Sequence, residues 1–173
     1  MAANVIQPTS GVKYQLVKVS ATYTRPANTT AYTAGLAISD STTAPTVLTF
    51  DLGAAGAVMG QSIEIRRIDY TEASRPSSLP LVNVYLSPTT FAATADGSAL
   101  SIPNATHNVG GAWLNLTTQN YTAINCRASL MNANEQMILS TTDTKLYGVI
   151  QAASGFTPAS AETLTVTLYI ALL

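Results

Sequence analysis

Thr163-Leu-Thr-Val-Thr-Leu-Tyr-Ile-Ala-Leu172 is the run that decides the fold. Leu164, Val166, Leu168, Ile170 and Leu172 alternate with Thr163, Thr165, Thr167, Tyr169 and Ala171. Successive side chains of a strand point to opposite faces, so this strict alternation predicts a strand with one buried and one exposed face. Threonine, β-branched and stiff at χ1, suits the exposed side.

Similar but less regular patterns run upstream. In Val12–Thr24 the apolar set Val12, Tyr14 and Leu16 gives way to Val17, Val19, Ala21 and Tyr23. A change of phase means a bulge, a twist or burial on both sides. The same slip occurs in Ile63–Tyr70, where Ile63 and Ile65 give way to Ile68 and Tyr70 across Arg66-Arg67. Further short strands are predicted at Thr46–Leu52, Leu81–Leu86, Ala112–Leu116, Tyr121–Arg127, Gln136–Ser140 and Lys145–Ala152. Gly, Pro, Asn, Asp and Ser separate them, as turns require. Helical signals are confined to a turn or two around Ala92–Leu100 and Met131–Glu135. Eight or nine short strands without βαβ alternation predict an all-β fold, an antiparallel two-sheet sandwich of jelly-roll type. The expected organisation is an N-terminal arm over residues 1–11 and one β-sandwich domain over 12–173. The arm carries Val5, Ile6, Gln7 and Pro8, the candidate interface residues.

Composition narrows the function. The chain has 173 residues, of which 10% are charged, and its net charge is −1. Typical soluble proteins carry about 25% charged residues. Twenty-five Thr and 15 Ser replace them. Sequence-independent nucleic-acid binding needs clustered cations to displace counterions, and eight scattered Lys and Arg do not supply them. Met1–Ser10 has neither the basic start nor the apolar stretch of a secretory signal, and Thr163–Leu173 is too short for a membrane-spanning helix. The expectation is therefore a protein made in the cytoplasm, without membrane or nucleic acid as partner. The triplets at Asn28, Asn104, Asn115 and Asn120 match the glycosylation pattern, and a chain this rich in Asn, Ser and Thr produces such triplets by composition.

Catalytic patterns are scarce. Serine-nucleophile chemistry needs a base, and His107, the single histidine, lies in a loop-like run with no nucleophile elbow. Cys126, the single cysteine, sits in an alternating segment and reads as a structural thiol. One His and one Cys do not fill a zinc site, and no Asp-x-Asp-x-Asp-Gly spacing suggests calcium. Glu64, Asp69 and Glu72 fall in one strand beside Arg66, Arg67 and Arg75, which reads as a mixed-charge solvated face with Glu64 and Glu72 on the same side. Asp40, Asp51, Asp96 and Asp143 stand beside turn residues, where Asp serves the backbone. The tyrosines and Trp113 would suit a carbohydrate or base-stacking platform, but Tyr is also at home in strands. No cofactor, metal or enzymatic activity is expected.

Two stretches carry a resemblance. Tyr23-Thr-Arg-Pro-Ala-Asn-Thr-Thr-Ala-Tyr-Thr-Ala-Gly35 and Leu146-Tyr-Gly-Val-Ile-Gln-Ala-Ala-Ser-Gly-Phe-Thr-Pro-Ala-Ser-Ala-Glu-Thr-Leu-Thr-Val-Thr-Leu168 resemble a family of small tailed-bacteriophage virion proteins. Leu81-Val-Asn-Val-Tyr-Leu86, followed by Ser-Pro-Thr, looks like the family's central strand and turn. Such proteins are encoded near the major capsid protein and regarded as head decoration or cement proteins. The resemblance implies a structural role on the capsid surface of a virion made in a bacterial host. Its partners would be the major capsid protein and further copies of the chain, most readily as a trimer. A head-fibre, tail or receptor-binding component is the alternative, although the chain shows no repeat, heptad or glycine-rich shaft.

Overall fold

The computed structural model describes residues 15–73, 81–101, 112–117 and 126–173, with 112–117 and 126–135 described as backbone. Nine strands form among these residues: β1 (Gln15–Thr24), β2 (Ala37–Ile38), β3 (Leu48–Asp51), β4 (Ser62–Glu72), β5 (Leu81–Ser87), β6 (Ala112–Thr117), β7 (Cys126–Ile138), β8 (Lys145–Ala152) and β9 (Thr163–Leu172). They make two antiparallel sheets, ordered β1-β9-β4-β7 and β2-β8-β5-β6, with β3 also paired to β8. The strands pair from the outside of the chain inward: β1 with β9, β2 and β3 with β8, β4 with β7, and β5 with β6. Successive pairs alternate between the sheets, which is a jelly roll. Here the second position of the roll is filled by two short strands. β2 pairs with Ile150 and Gln151, and β3 with Lys145 to Gly148, along one edge of β8.

The alternation in β9 is realised as read. Leu164, Val166, Leu168, Ile170 and Leu172 are all buried, and β9 lies between β1 and β4. Facing them across the sandwich is the inner surface of the second sheet, built on Phe50, Val84, Leu86, Leu146 and Ile150. Removing such side chains from water is the main stabilising force of the fold. The slip in Ile63–Tyr70 is a β-bulge. Register shifts between Ile65 and Arg67, with Ile65 opposite Ile170 and Arg67 opposite Tyr169, so Arg66 is the extra residue. That residue restores the phase, and Ile63, Ile65, Ile68 and Tyr70 all reach the core fully buried.

Several expectations change. In the described part of Val12–Thr24 the β1–β9 register is unbroken from Gln15 to Thr24, so no bulge marks the phase change there. Val17, Ala21 and Tyr23 are buried while Leu16 is half-buried on the opposite face. The Met131–Glu135 turn is not helical. It lies inside β7, whose 13 residues run on to Ile138 and join the predicted Gln136–Ser140 strand to the end of Tyr121–Arg127. Met, Ala and Glu favour helix, but Met131 and Glu135 pair with Arg67 and Ile65 of β4, and although residues 132–134 stand opposite Arg66 alone, the ladder on either side overrides that weak local preference. Ala92–Leu100 is not helical either. Its end runs along the edge of β2, where Ala37 N–H donates to Ser98 O at 2.8 Å and Gly97 N–H to Ala37 O at 3.0 Å. A short 3₁₀ turn at Gly53–Ala55 and the two-residue β2 were not read from the sequence.

Candidate functional site

Val5, Ile6, Gln7, Pro8 and His107 lie outside the described residues. Cys126 opens β7 at the register position opposite Glu72. The carboxylates of β4 are not on a solvated face. Glu64, Asp69 and Glu72 are 7%, 5% and 0% exposed. The bulge at Arg66 also separates Glu64 from Glu72: Glu72 follows Tyr70 on the inner face, where the Tyr70 hydroxyl donates to it, and Glu64 lies on the outer one. Outside, Arg66 Nη2 meets Glu64 Oε2 at 2.6 Å, and Arg67 makes two 2.7 Å bonds to Asp69. Such neutralised pairs have no free base to offer a substrate. Three of the four turn aspartates act as read: Asp40 binds Thr46, Asp51 accepts from Gly53 and Ala54, and Asp143 accepts from Lys145.

Asp96 does something else. It is buried and gathers three donors from three parts of the chain: Ser39 N–H at 2.9 Å, the Tyr32 hydroxyl at 2.5 Å and Arg25 Nη2 at 3.3 Å. Arg25, which follows β1 directly, donates its other nitrogens to the Tyr32 hydroxyl at 2.5 Å and Ala159 O at 3.1 Å. Its guanidinium lies 4.8 Å from the Tyr32 ring centroid, and that ring packs on Phe156 at 5.0 Å. Burial and the bond to Asp96 push the Tyr32 phenol well above its ordinary pKa. A cavity of about 170 Å³ opens beside the cluster, lined by Asn28, Thr30, Ala31, Tyr32, Thr42, Asp96 and Gly97. With the phenol held protonated and the guanidinium paired, the cluster ties loops together and presents no nucleophile. Among the described residues, no group of three or more His, Cys, Asp or Glu could hold a metal ion.

The outer faces of the sheets differ from one another. On the first, Ser20 and Thr167 share a 2.9 Å hydroxyl bond, and Thr22 and Thr165 one of 3.1 Å. These cross-strand bonds form a ladder of mutually satisfied hydroxyls between β1 and β9. On the second, the Gln151 amide oxygen accepts from Asn83 at 3.0 Å and from the Tyr85 hydroxyl at 3.1 Å, with Trp113 opposite Tyr85 in register. The Tyr147 hydroxyl donates to Asp143 at 2.7 Å, which with burial raises its pKa to about 12.

No protein-family model matches the chain, and no curated protein matches it in sequence. It is similar in structure to a Desmodium yellow mottle tymovirus chain, at 13% identity and a TM-score of 0.32, covering 99% of this chain and 88% of that one. It is also similar to a chain of the cyanophage Pam1 capsid asymmetric unit, at 12% and 0.36, covering 99% and 94%. A third similar chain, from cocksfoot mottle virus, has 13% identity and a TM-score of 0.37, covering 92% and 94%. At these values the jelly-roll assignment rests on the strand order itself.

Proposed function

We propose that this chain is a structural protein of a tailed-bacteriophage virion, a decoration or cement protein that binds the outer head surface and stabilises it. One observation carries the reading. The two stretches that resemble the phage family, Tyr23–Gly35 and Leu146–Leu168, pack on each other in the fold. Arg25 N–H donates to Glu162 O at 2.8 Å, Tyr32 and Phe156 exchange backbone hydrogen bonds at 2.9 and 3.3 Å, and their rings are in contact. The resemblance therefore falls on one interlocked unit of the structure rather than on scattered strand patterns.

The surface suits the role. A near-neutral, hydroxyl-rich exterior gives copies little mutual repulsion in a shell. A cement subunit bridges neighbouring capsomers, so many modest contacts act together against the loss of any one. Its partners are the major capsid protein and further copies of itself, in a trimer, and Val5, Ile6, Gln7 and Pro8 are the residues that order on a neighbour, by strand addition or apolar packing. Purified protein mixed with capsids lacking it should raise their heat resistance, with occupancy retained at high salt, because uncharged contacts are not screened. A variant starting at Gly11 should bind more weakly. Failure to bind capsids, with copurification with tails instead, refutes the reading. A tail or receptor-binding role is favoured by one feature, the uncharged amide and tyrosine face at Asn83, Tyr85 and Gln151, and glycan binding that Tyr85→Ala abolishes would support it.

A further inference from the structure

We propose that copies of this chain associate through an apolar patch at one corner of the first sheet, centred on Val58, Met59 and Ile138. These residues are 63%, 57% and 63% exposed, and with Leu173 at 48% they are the exposed large hydrophobic side chains among the described residues. Three separate segments bring them together. Ile138 is the register partner of Ser62, and Leu173 N–H donates to Ser62 O at 3.0 Å, so Ile138, Ser62 and Leu173 stand abreast across β7, β4 and β9. All three lie on the outer face, since their neighbours Met137, Ile63 and Leu172 are in the core.

The loop before β4 is held beside this row. The Gln61 carboxamide accepts from Val58 N–H at 2.9 Å and donates to Leu173 O at 3.3 Å, while Gly60 N–H donates to Ser140 O at 2.9 Å. Gly60 has φ +72°, a conformation glycine adopts without strain, and it turns the chain so that Val58 and Met59 precede the row. The patch is therefore held in place by its own hydrogen bonds.

A second copy is the occupant that fits. The residues bonded to it or in its row, Gln61, Ser62 and Ser140, bear no side-chain charge, and the next outward residue along β4, Glu64, is ion-paired to Arg66. Patch can meet patch without repulsion between these side chains, which offer an acidic or basic partner no charge to pair with. The exposed apolar area is roughly 400 Å², the size of the patches that mark interaction sites on single proteins. It is about half of what each partner of a stable standard interface buries, so association through it is weak and becomes strong only when repeated. The inference deepens the virion reading by placing the contact between copies. Self-association tests it, whereas capsid binding tests that reading.

Sedimentation of the full chain over about 10 µM to 1 mM reads the outcome. The wild type should associate reversibly in that range, and Val58→Thr/Met59→Gln/Ile138→Thr should weaken association at least ten-fold. Because all three side chains are exposed, the variant should keep its fold, checked by an unchanged near-ultraviolet spectrum and melting temperature. A wild type that stays monomeric throughout overturns the proposal. So does a triple variant that associates as the wild type does. If Val5→Ser/Ile6→Ser increases association instead, the chain's own N-terminal segment covers the patch, and the proposal fails.

Discussion

Replacing Asp96 by alanine tests the buried cluster most directly. The side chains of Arg25 and Asp96 are 1% and 4% exposed, so neither charge is solvated once its partner is gone. Breaking a buried ion pair from one side costs about 3–5 kcal/mol, because the remaining charge stays uncompensated. Ser39 N–H and the Tyr32 hydroxyl also lose their acceptor, and a buried donor left without one costs about 1–3 kcal/mol. These terms belong to one network and do not add, and water entering from the adjoining 170 Å³ cavity relieves part of them. The expected loss is about 4 kcal/mol. In a chain of this size that lowers Tm by about 8–16 °C. Urea unfolding gives the free energy, and calorimetry the Tm. Arg25→Met in the Asp96→Ala background should cost much less than the two single losses combined, because the stranded cation leaves with it. An Asp96→Ala loss under about 1 kcal/mol, or a double variant whose losses simply add, refutes the reasoning.

Gly148→Ala should destabilise by about 1–3 kcal/mol through overpacking, since its Cβ would stand 3.1 Å from both Leu86 Cδ2 and Phe50 Cε2; an unfolding midpoint unchanged from wild type would contradict that. Deleting Arg66 removes the bulge and leaves Ile63, Ile65, Ile68 and Tyr70 in strict alternation, with the β9 register closing directly from Ile65–Ile170 to Arg67–Tyr169, so the variant should still fold and melt cooperatively; a chain that no longer folds would show that the bulge itself is required. Asp40 supplies a pH signature. Burial opposes its ionisation, but hydrogen bonds from the Thr46 hydroxyl, Thr46 N–H and Ser39 outweigh it and leave the pKa below 3.8. The unfolded chain therefore takes up the proton first, and the stabilisation, complete above the ordinary Asp value, is lost as pH falls through the lowered one. The stability gap between wild type and Asp40→Asn should close as pH falls below the ordinary Asp value, and a gap independent of pH would show that the carboxylate is not the cause.

How much of this was legible in the sequence follows the range of the forces involved. The alternation in Thr163–Leu172 and the slip at Arg66-Arg67 could be read directly, because side-chain direction in a strand is fixed by immediate neighbours. Asp40, Asp51 and Asp143 were legible for the same reason, as their bonds reach only a few residues along the chain. The Met131–Glu135 segment is not legible as a strand because its local preference is helical and only the β4 ladder on either side of residues 132–134 holds it extended. Glu64 and Glu72 were placed on one face because the bulge between them was located but not carried through to its effect on the next residues.

The strand order, the cluster and the patch belong to the tertiary structure alone. Arg25 and Asp96 stand 71 positions apart, and Ile138 lies far from Val58 along the chain. Nothing in either neighbourhood marks the other. By itself, the sequence determined most of the strands, which of their faces are apolar and where the chain turns, since those depend on contacts within a few residues, whereas β2 and the middle of β7 needed the tertiary structure. Only the closing of two sheets over a shared core decided which strands lie side by side, which carboxylates lose their water and which apolar side chains stay outside. Those outcomes depend on the total apolar area buried and on ladders between distant segments, which no short stretch of sequence encodes.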